Sequence, residues 1–158
     1  SQACIDVREL VGEFWKALSA GDTVDCPCCG RPAKVWPRTI LATMARVLIR
    51  LYRAHVAEPG KWVHVDNGIY GKGTSGDYAK LRHWNLAEPA NVRSFENASG
   101  HWRITEQGSA FVLGHITVAK YALVYANKCQ SHAGPLVTIQ QCLGKKFDYD
   151  QLMKGEQP

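Results

Sequence analysis

Val7, Leu10, Val11, Phe14 and Leu18 recur at helical spacing with Arg8, Glu9, Glu13 and Lys16 between them. That pattern predicts an amphipathic helix stopped by Gly21. A polar segment with three crowded cysteines follows, flanked by Thr23-Val24 and Val35-Trp36, and reads as a short hairpin. From Thr39 the period returns to that of a helix. Ile40, Met44, Val47, Leu48, Leu51 and His55 share one face, and Pro59-Gly60 ends the run. Arg46, Arg50 and Arg53 lie on the opposite face, where a solvated stripe is expected. His55, on the apolar face, reads as a satisfied core side chain.

Trp62-Val63-His64-Val65 is a brief strand, and the glycine-rich stretch Asn67 to Gly76 a loop or short helix. Asp77 to Trp84 is predicted helical, with Tyr78, Leu81 and Trp84 turned inward. Leu86-Ala87-Glu88-Pro89 and His101-Trp102-Arg103-Ile104 are strands joined through a polar tip with Asn97, Ser99 and Gly100, which makes a hairpin. Thr105 stands where an N-cap belongs, ahead of a helix from Gln107 through Val112. Tyr121 to Tyr125 is a strand with its partner near Leu136-Val137. Thr138 to Leu143 is a short helix closed by Gly144, and Asp148 caps a last turn reaching Met153. No internal repeat or low-complexity tract appears.

Composition narrows the class. The chain has 158 residues, 46% hydrophobic and 21% charged, which is ordinary for one globular domain and excludes a disordered protein or collagen. No apolar run approaches the ~20 residues of a membrane span, and the start does not read as a secretory leader, so a cytoplasmic protein is expected. Charge is unevenly spread. Residues 1–25 carry two basic and five acidic side chains, whereas residues 31–103 carry twelve basic and five acidic ones. An acidic start and a basic middle point to a localised anion-binding face.

The order helix, short strand, glycine-rich turn, helix, hairpin, helix is that of a winged helix. Asp77-Tyr78-Ala79-Lys80-Leu81-Arg82-His83-Trp84-Asn85-Leu86-Ala87-Glu88, followed by Gly100-His101-Trp102-Arg103-Ile104-Thr105-Glu106-Gln107-Gly108, resembles the recognition-helix and wing signature of bacterial regulators of the MarR and ArsR groups. The whole chain after residue 25 also resembles a group of phage and prophage proteins. In those, a Cys-Pro-x-Cys-Gly turn precedes a winged helix. The tail is similar to Lys120-Tyr121-Ala122-Leu123-Val124-Tyr125 and Leu143-Gly144-Lys145-Lys146-Phe147-Asp148-Tyr149. The resemblances imply an α+β fold with a winged helix-turn-helix core over residues 39–115. Ahead of it come an N-terminal helix, 1–22, and a zinc-knuckle-like hairpin, 23–38; a C-terminal hairpin with short helices, 116–158, packs on the core.

A winged helix offers one helix to the major groove of double-stranded DNA and a hairpin to the neighbouring backbone. Here the groove helix would be Thr74–Trp84, with Lys72, Lys80, Arg82 and His83 as its contacts, and Arg93, His101 and Arg103 would serve the wing. Lys and Arg neutralise phosphates, and Arg also reads guanine. The expected function is therefore a non-enzymatic, phage-type DNA-binding protein acting in transcription regulation, in the host cytoplasm if phage-encoded. The alternative is a protein-interaction module of phage origin that binds and modulates a host protein, for example an anti-defence inhibitor, with the stripe Arg46, Arg50 and Arg53 meeting an acidic partner. The two long amphipathic helices would also suit a homodimer.

Cys26-Pro27-Cys28-Cys29-Gly30 contains the Cys-x-x-Cys-Gly knuckle of zinc ribbons. Neighbouring cysteines in so tight a turn do not pair easily, and a reducing compartment fits them better than disulfides. A closed structural zinc site needs four ligands, and the chain has no second Cys-x-x-Cys. Cys129-Gln130-Ser131-His132 comes nearest, expected in a loop between two strands. Cys26, Cys29, Cys129 and His132 are thus the predicted zinc ligands, with Cys28, Cys142 or Cys4 as replacements. His55, His64, His83, His101 and His115 are scattered. Gly71-Lys72-Gly73-Thr74-Ser75-Gly76 fits G-x-G-x-x-G but lacks the long apolar strands of a dinucleotide fold. No Ser/His/Asp order, carboxylate pair in a cleft or His-Glu-x-x-His helix suggests catalysis.

Overall fold

Short apolar runs bury their side chains only by pooling them, and this chain does so as a mixed α+β fold with antiparallel sheets. The computed structural model describes residues 7–20, 22–65, 76–91 and 100–155. Two compact units are formed. One comprises Ser1–Thr39 with Tyr121–Ala133, the other Ile40–Lys120 with Gly134–Pro158.

The first unit begins with helix α1, Val7–Ser19. Strands β1, Val24–Asp25, and β2, Pro32–Ala33, then pair antiparallel around the cysteine turn, Val24 opposite Ala33 and Asp25 opposite Pro32. The hairpin is tighter than the sequence suggested. Val35 goes to the core and Trp36 opens a separate strand, β3, Trp36–Thr39. β3 pairs antiparallel with β7, Val118–Tyr125, placing Trp36 opposite Val124 and Thr39 opposite Tyr121. β7 also pairs with β8, Lys128–Val137, in the order β3-β7-β8. An edge strand is where Pro37 can be accommodated. Leu18, Ala33 and Val35 form the small core, joined by Phe14, Val24, Leu123 and Tyr125. Phe14, Trp15 and Tyr125 meet edge-to-face, with centroids 5.7–6.4 Å apart.

The second unit is built on α2, Ala42–Ala57, which starts later than Thr39 because Thr39 is committed to β3. Met44, Ala45, Val47, Leu48, Ile49 and Leu51 are buried. Arg46 is buried too, contrary to the expected solvated stripe. Its guanidinium lies 4.7 Å from the Phe147 ring centroid, and desolvation lowers its pKa. Helices α4, Ile139–Leu143, and α5, Tyr149–Lys154, pack against α2. Asp148 caps α5 as the sequence predicts, and Thr138 caps α4 as well, each accepting from the backbone N–H three residues on.

Residues Gly76–Trp84 form a 3-10 helix rather than an α-helix. Tyr78, Leu81 and Trp84 recur every third residue, and such positions line up along one side of a three-residue turn. Leu81 and Trp84 are buried there, the Trp84 indole donating to the Ala119 carbonyl at 2.8 Å. Strands β4, Val63–His64, β5, Ala87–Pro89, and β6, His101–Ile104, form an antiparallel sheet in the order β4-β6-β5. Helix α3, Glu106–Val112, follows directly, its N-cap Thr105 accepting from the Gly108 N–H at 2.9 Å as the sequence predicts. A Cβ on Gly108 would collide with the Leu86 carbonyl, so glycine sets how closely α3 approaches β5.

Candidate functional site

Two places carry the predicted chemistry, one in each unit. In the second unit the sheet's pleat sorts the side chains. Val63 stands opposite Trp102, His64 opposite His101, and Glu88 opposite Arg103. Ala87, Trp102 and Ile104 point into the core, which leaves His64, Glu88, His101 and Arg103 on the other face. There Arg103 ion-pairs with Glu88 and covers the Trp62 ring at 4.1 Å, and the His64 and His101 rings stand 4.9 Å apart. Glu88, His64 and Trp62 were not among the predicted site residues. The register places Glu88 across from Arg103, whereas matching the ends of the predicted strands sets Glu88 against Trp102.

The remaining predicted contacts separate. Arg82 is exposed on the 3-10 helix. Lys80 is half-buried and donates to Asp77 at 2.7 Å, three residues back. His83 is buried, 8% exposed, and packs with the core rather than facing solvent. Lys72, Arg93 and most of the Gly71–Gly76 motif lie outside the described residues. Beside the outer sheet face, a cleft of about 840 Å³ is lined by His55, Glu88, Arg103, Thr105, Glu106 and Gln107, among others. His55 is half-buried and serves the backbone, its Nδ1 accepting from the Gly60 N–H at 3.2 Å.

In the first unit the cysteine turn is closed by two backbone bonds. The Cys26 N–H donates to the Arg31 carbonyl and the Gly30 N–H to the Cys26 carbonyl, both at 2.8 Å, with Gly30 at φ +72°. This fold aims the Cys29 and Cys28 N–H groups at the Cys26 sulfur, and those bonds, with the neighbouring thiols, hold its pKa below the ordinary thiol value. Cys28 and Cys29 are exposed. The second pair is not in a loop, as expected, but in β8. The turn before it is only Ala126-Asn127, both at positive φ, so the strand resumes at Lys128. Cys129 Sγ lies 3.6 Å from His132 Nε2 and 3.4 Å from the Ser131 carbonyl, and burial raises its pKa. Cys142 lies in α4 of the second unit, half-buried, its pKa pushed up to about 11 by desolvation. Among the described residues, no group of three or more His, Cys, Asp or Glu side chains stands ready to hold a metal ion. Each pair is assembled; the four are not.

In comparisons with known proteins the chain matches no protein-family model, no curated protein and no solved structure. No helix among the described residues is long and apolar enough to cross a membrane.

Proposed function

We propose that the second unit binds double-stranded DNA as a winged helix and performs no chemistry on it. The observation that carries this reading is the sheet order β4-β6-β5, with a helical segment leading into β5 and a hairpin joining β5 to β6. In a winged helix the first strand lies beside the third, and the hairpin between the second and third is the wing. The 3-10 helix then takes the groove with Arg82 foremost, and Lys72 precedes it in the chain. β6 brings His101 and Arg103, and Arg93 falls between β5 and β6 in the sequence. The pairs Lys80–Asp77 and Arg103–Glu88 are partly exposed. Such pairs are worth about 0–1 kcal/mol, so a phosphate competes readily for their cations. His83 supports the helix from beneath. In keeping with the resemblance to phage and prophage proteins, the role fits a phage transcription regulator or accessory factor.

Fluorescence anisotropy with labelled duplex DNA at two salt concentrations tests this. Affinity should fall steeply as salt rises, and Arg82→Ala should weaken binding while lowering the salt slope by about 1. No binding at low salt, or binding indifferent to salt, removes the DNA reading. A protein-interaction module is the second reading, favoured by the mixed charge of the cleft, where Glu88 and Glu106 stand beside Arg103 and His55. Two carboxylates repel phosphate but suit a protein surface of mixed charge. With Arg46 buried, the arginine stripe does not serve that reading.

A further inference from the structure

The first unit holds two pairs of soft ligands, each spaced three residues apart, and each pair adjoins in sequence residues of one small core. Cys26 and Cys29 follow Val24 in the turn ahead of Ala33, while Cys129 and His132 follow Leu123 and Tyr125 across the β7–β8 turn. Val24, Ala33, Leu123 and Tyr125 all belong to that core.

Each pair has a feature that packing does not require. The Cys26 turn is closed by two backbone bonds at 2.8 Å, Cys26 N–H to the Arg31 carbonyl and Gly30 N–H to the Cys26 carbonyl, although Cys28 and Cys29 are exposed and fill no core. A turn so closed holds two thiols three residues apart, the spacing from which a Cys-x-x-Cys turn offers two thiolates to one metal ion. On β8, Cys129 and His132 would face opposite sides of a regular strand, since side chains three apart alternate. Instead their ligating atoms are 3.6 Å apart. Two ligands bound at about 2.3 Å for sulfur and about 2.0–2.1 Å for nitrogen, at a tetrahedral angle, also stand about 3.6 Å apart.

We propose that the first unit binds one structural zinc ion through Cys26, Cys29, Cys129 and His132, a tetrahedral Cys3His set. The two pairs close on the metal by movement of the exposed turn from Pro27 to Arg31, and Cys28 stays outside the ligand set. This inference concerns the first unit alone and is independent of DNA binding by the second.

Metal analysis of the full chain, purified with zinc and dialysed, tests it. About one zinc per chain is expected, falling to near none in Cys26→Ser and in the double variant Cys129→Ala/His132→Ala, and unchanged in Cys28→Ser. Because a ligand variant can lose zinc by failing to fold, the unaltered protein is also titrated with cobalt(II). Tetrahedral d–d bands with thiolate charge transfer are expected, displaced by one equivalent of zinc. A zinc-free protein, a pale octahedral cobalt spectrum, or zinc retained in the Cys129→Ala/His132→Ala protein would each overturn the site.

Discussion

Gly108 sits in the first turn of α3 with the Leu86 carbonyl over its Cα, and an added Cβ would also lie 2.7 Å from Ile104 Cγ1. Neither neighbour can yield, since one is backbone and the other is a buried core side chain. Gly108→Ala should therefore destabilise the protein by about 3 kcal/mol in urea unfolding, despite alanine's better helix propensity. Gly12 provides the contrast. It is exposed in α1 with nothing within 4 Å of an added Cβ, so Gly12→Ala should stabilise α1 by about 0.5–1 kcal/mol. Thiol reactivity differs between sites for a related reason. In metal-free protein at pH 8, Cys142, near pKa 11, is about one part in a thousand thiolate, whereas Cys26 is shifted the other way. Peptide mapping after brief alkylation should find Cys26 modified first and Cys142 last. Equal rates would mean that the turn's N–H groups do not favour the Cys26 thiolate.

The β7–β8 turn shows why some elements were legible and others not. Ala126 and Asn127 take φ of +49° and +64°, the left-handed pair of a two-residue hairpin. Asn-Gly announces such a turn and Ala-Asn does not, so Cys129 and His132 read from sequence as loop residues. Ala126→Gly relieves a left-handed alanine and should raise stability by about 0.5–1 kcal/mol, read from the thermal midpoint. Where a local rule governs, the sequence sufficed. Thr105 and Asp148 cap the helices they are expected to cap, Gly144 closes α4, and the β5–β6 hairpin falls on its predicted strands. What failed depended on distant partners. β3 carries Pro37 and no apolar alternation, and it is a strand because β7 supplies the hydrogen bonds. Arg46 reads as solvated on a helical wheel, and α4 and α5, which pack against that helix, come about a hundred residues later. Of the candidate site, the ligand types and spacings were readable, whereas the ties of Lys80 and Arg103 to Asp77 and Glu88 emerged from the helix turn and the strand register.

On the scale of the molecule, a zinc site confined to one unit has a regional signature. Chelation should speed amide exchange in segments 24–39 and 121–133 while leaving α2 and the β4-β6-β5 sheet as protected as before. Exchange that rises equally in both units would mean that they unfold together. The first unit is also discontinuous: β3 ends at Thr39 and its partner in β7 begins its pairing at Tyr121, with residues 40–120 between them. On a ribosome adding about 5–20 residues per second, β3 waits about 4–16 s for the strand that completes it. The second unit's α2, 3-10 helix and β4-β6-β5 sheet can assemble during that pause. Cys26, Cys28 and Cys29 meanwhile leave the exit tunnel with neither Cys129 nor His132 yet made, so the turn spends its first seconds as three bare thiols, open to oxidation or to premature capture of metal.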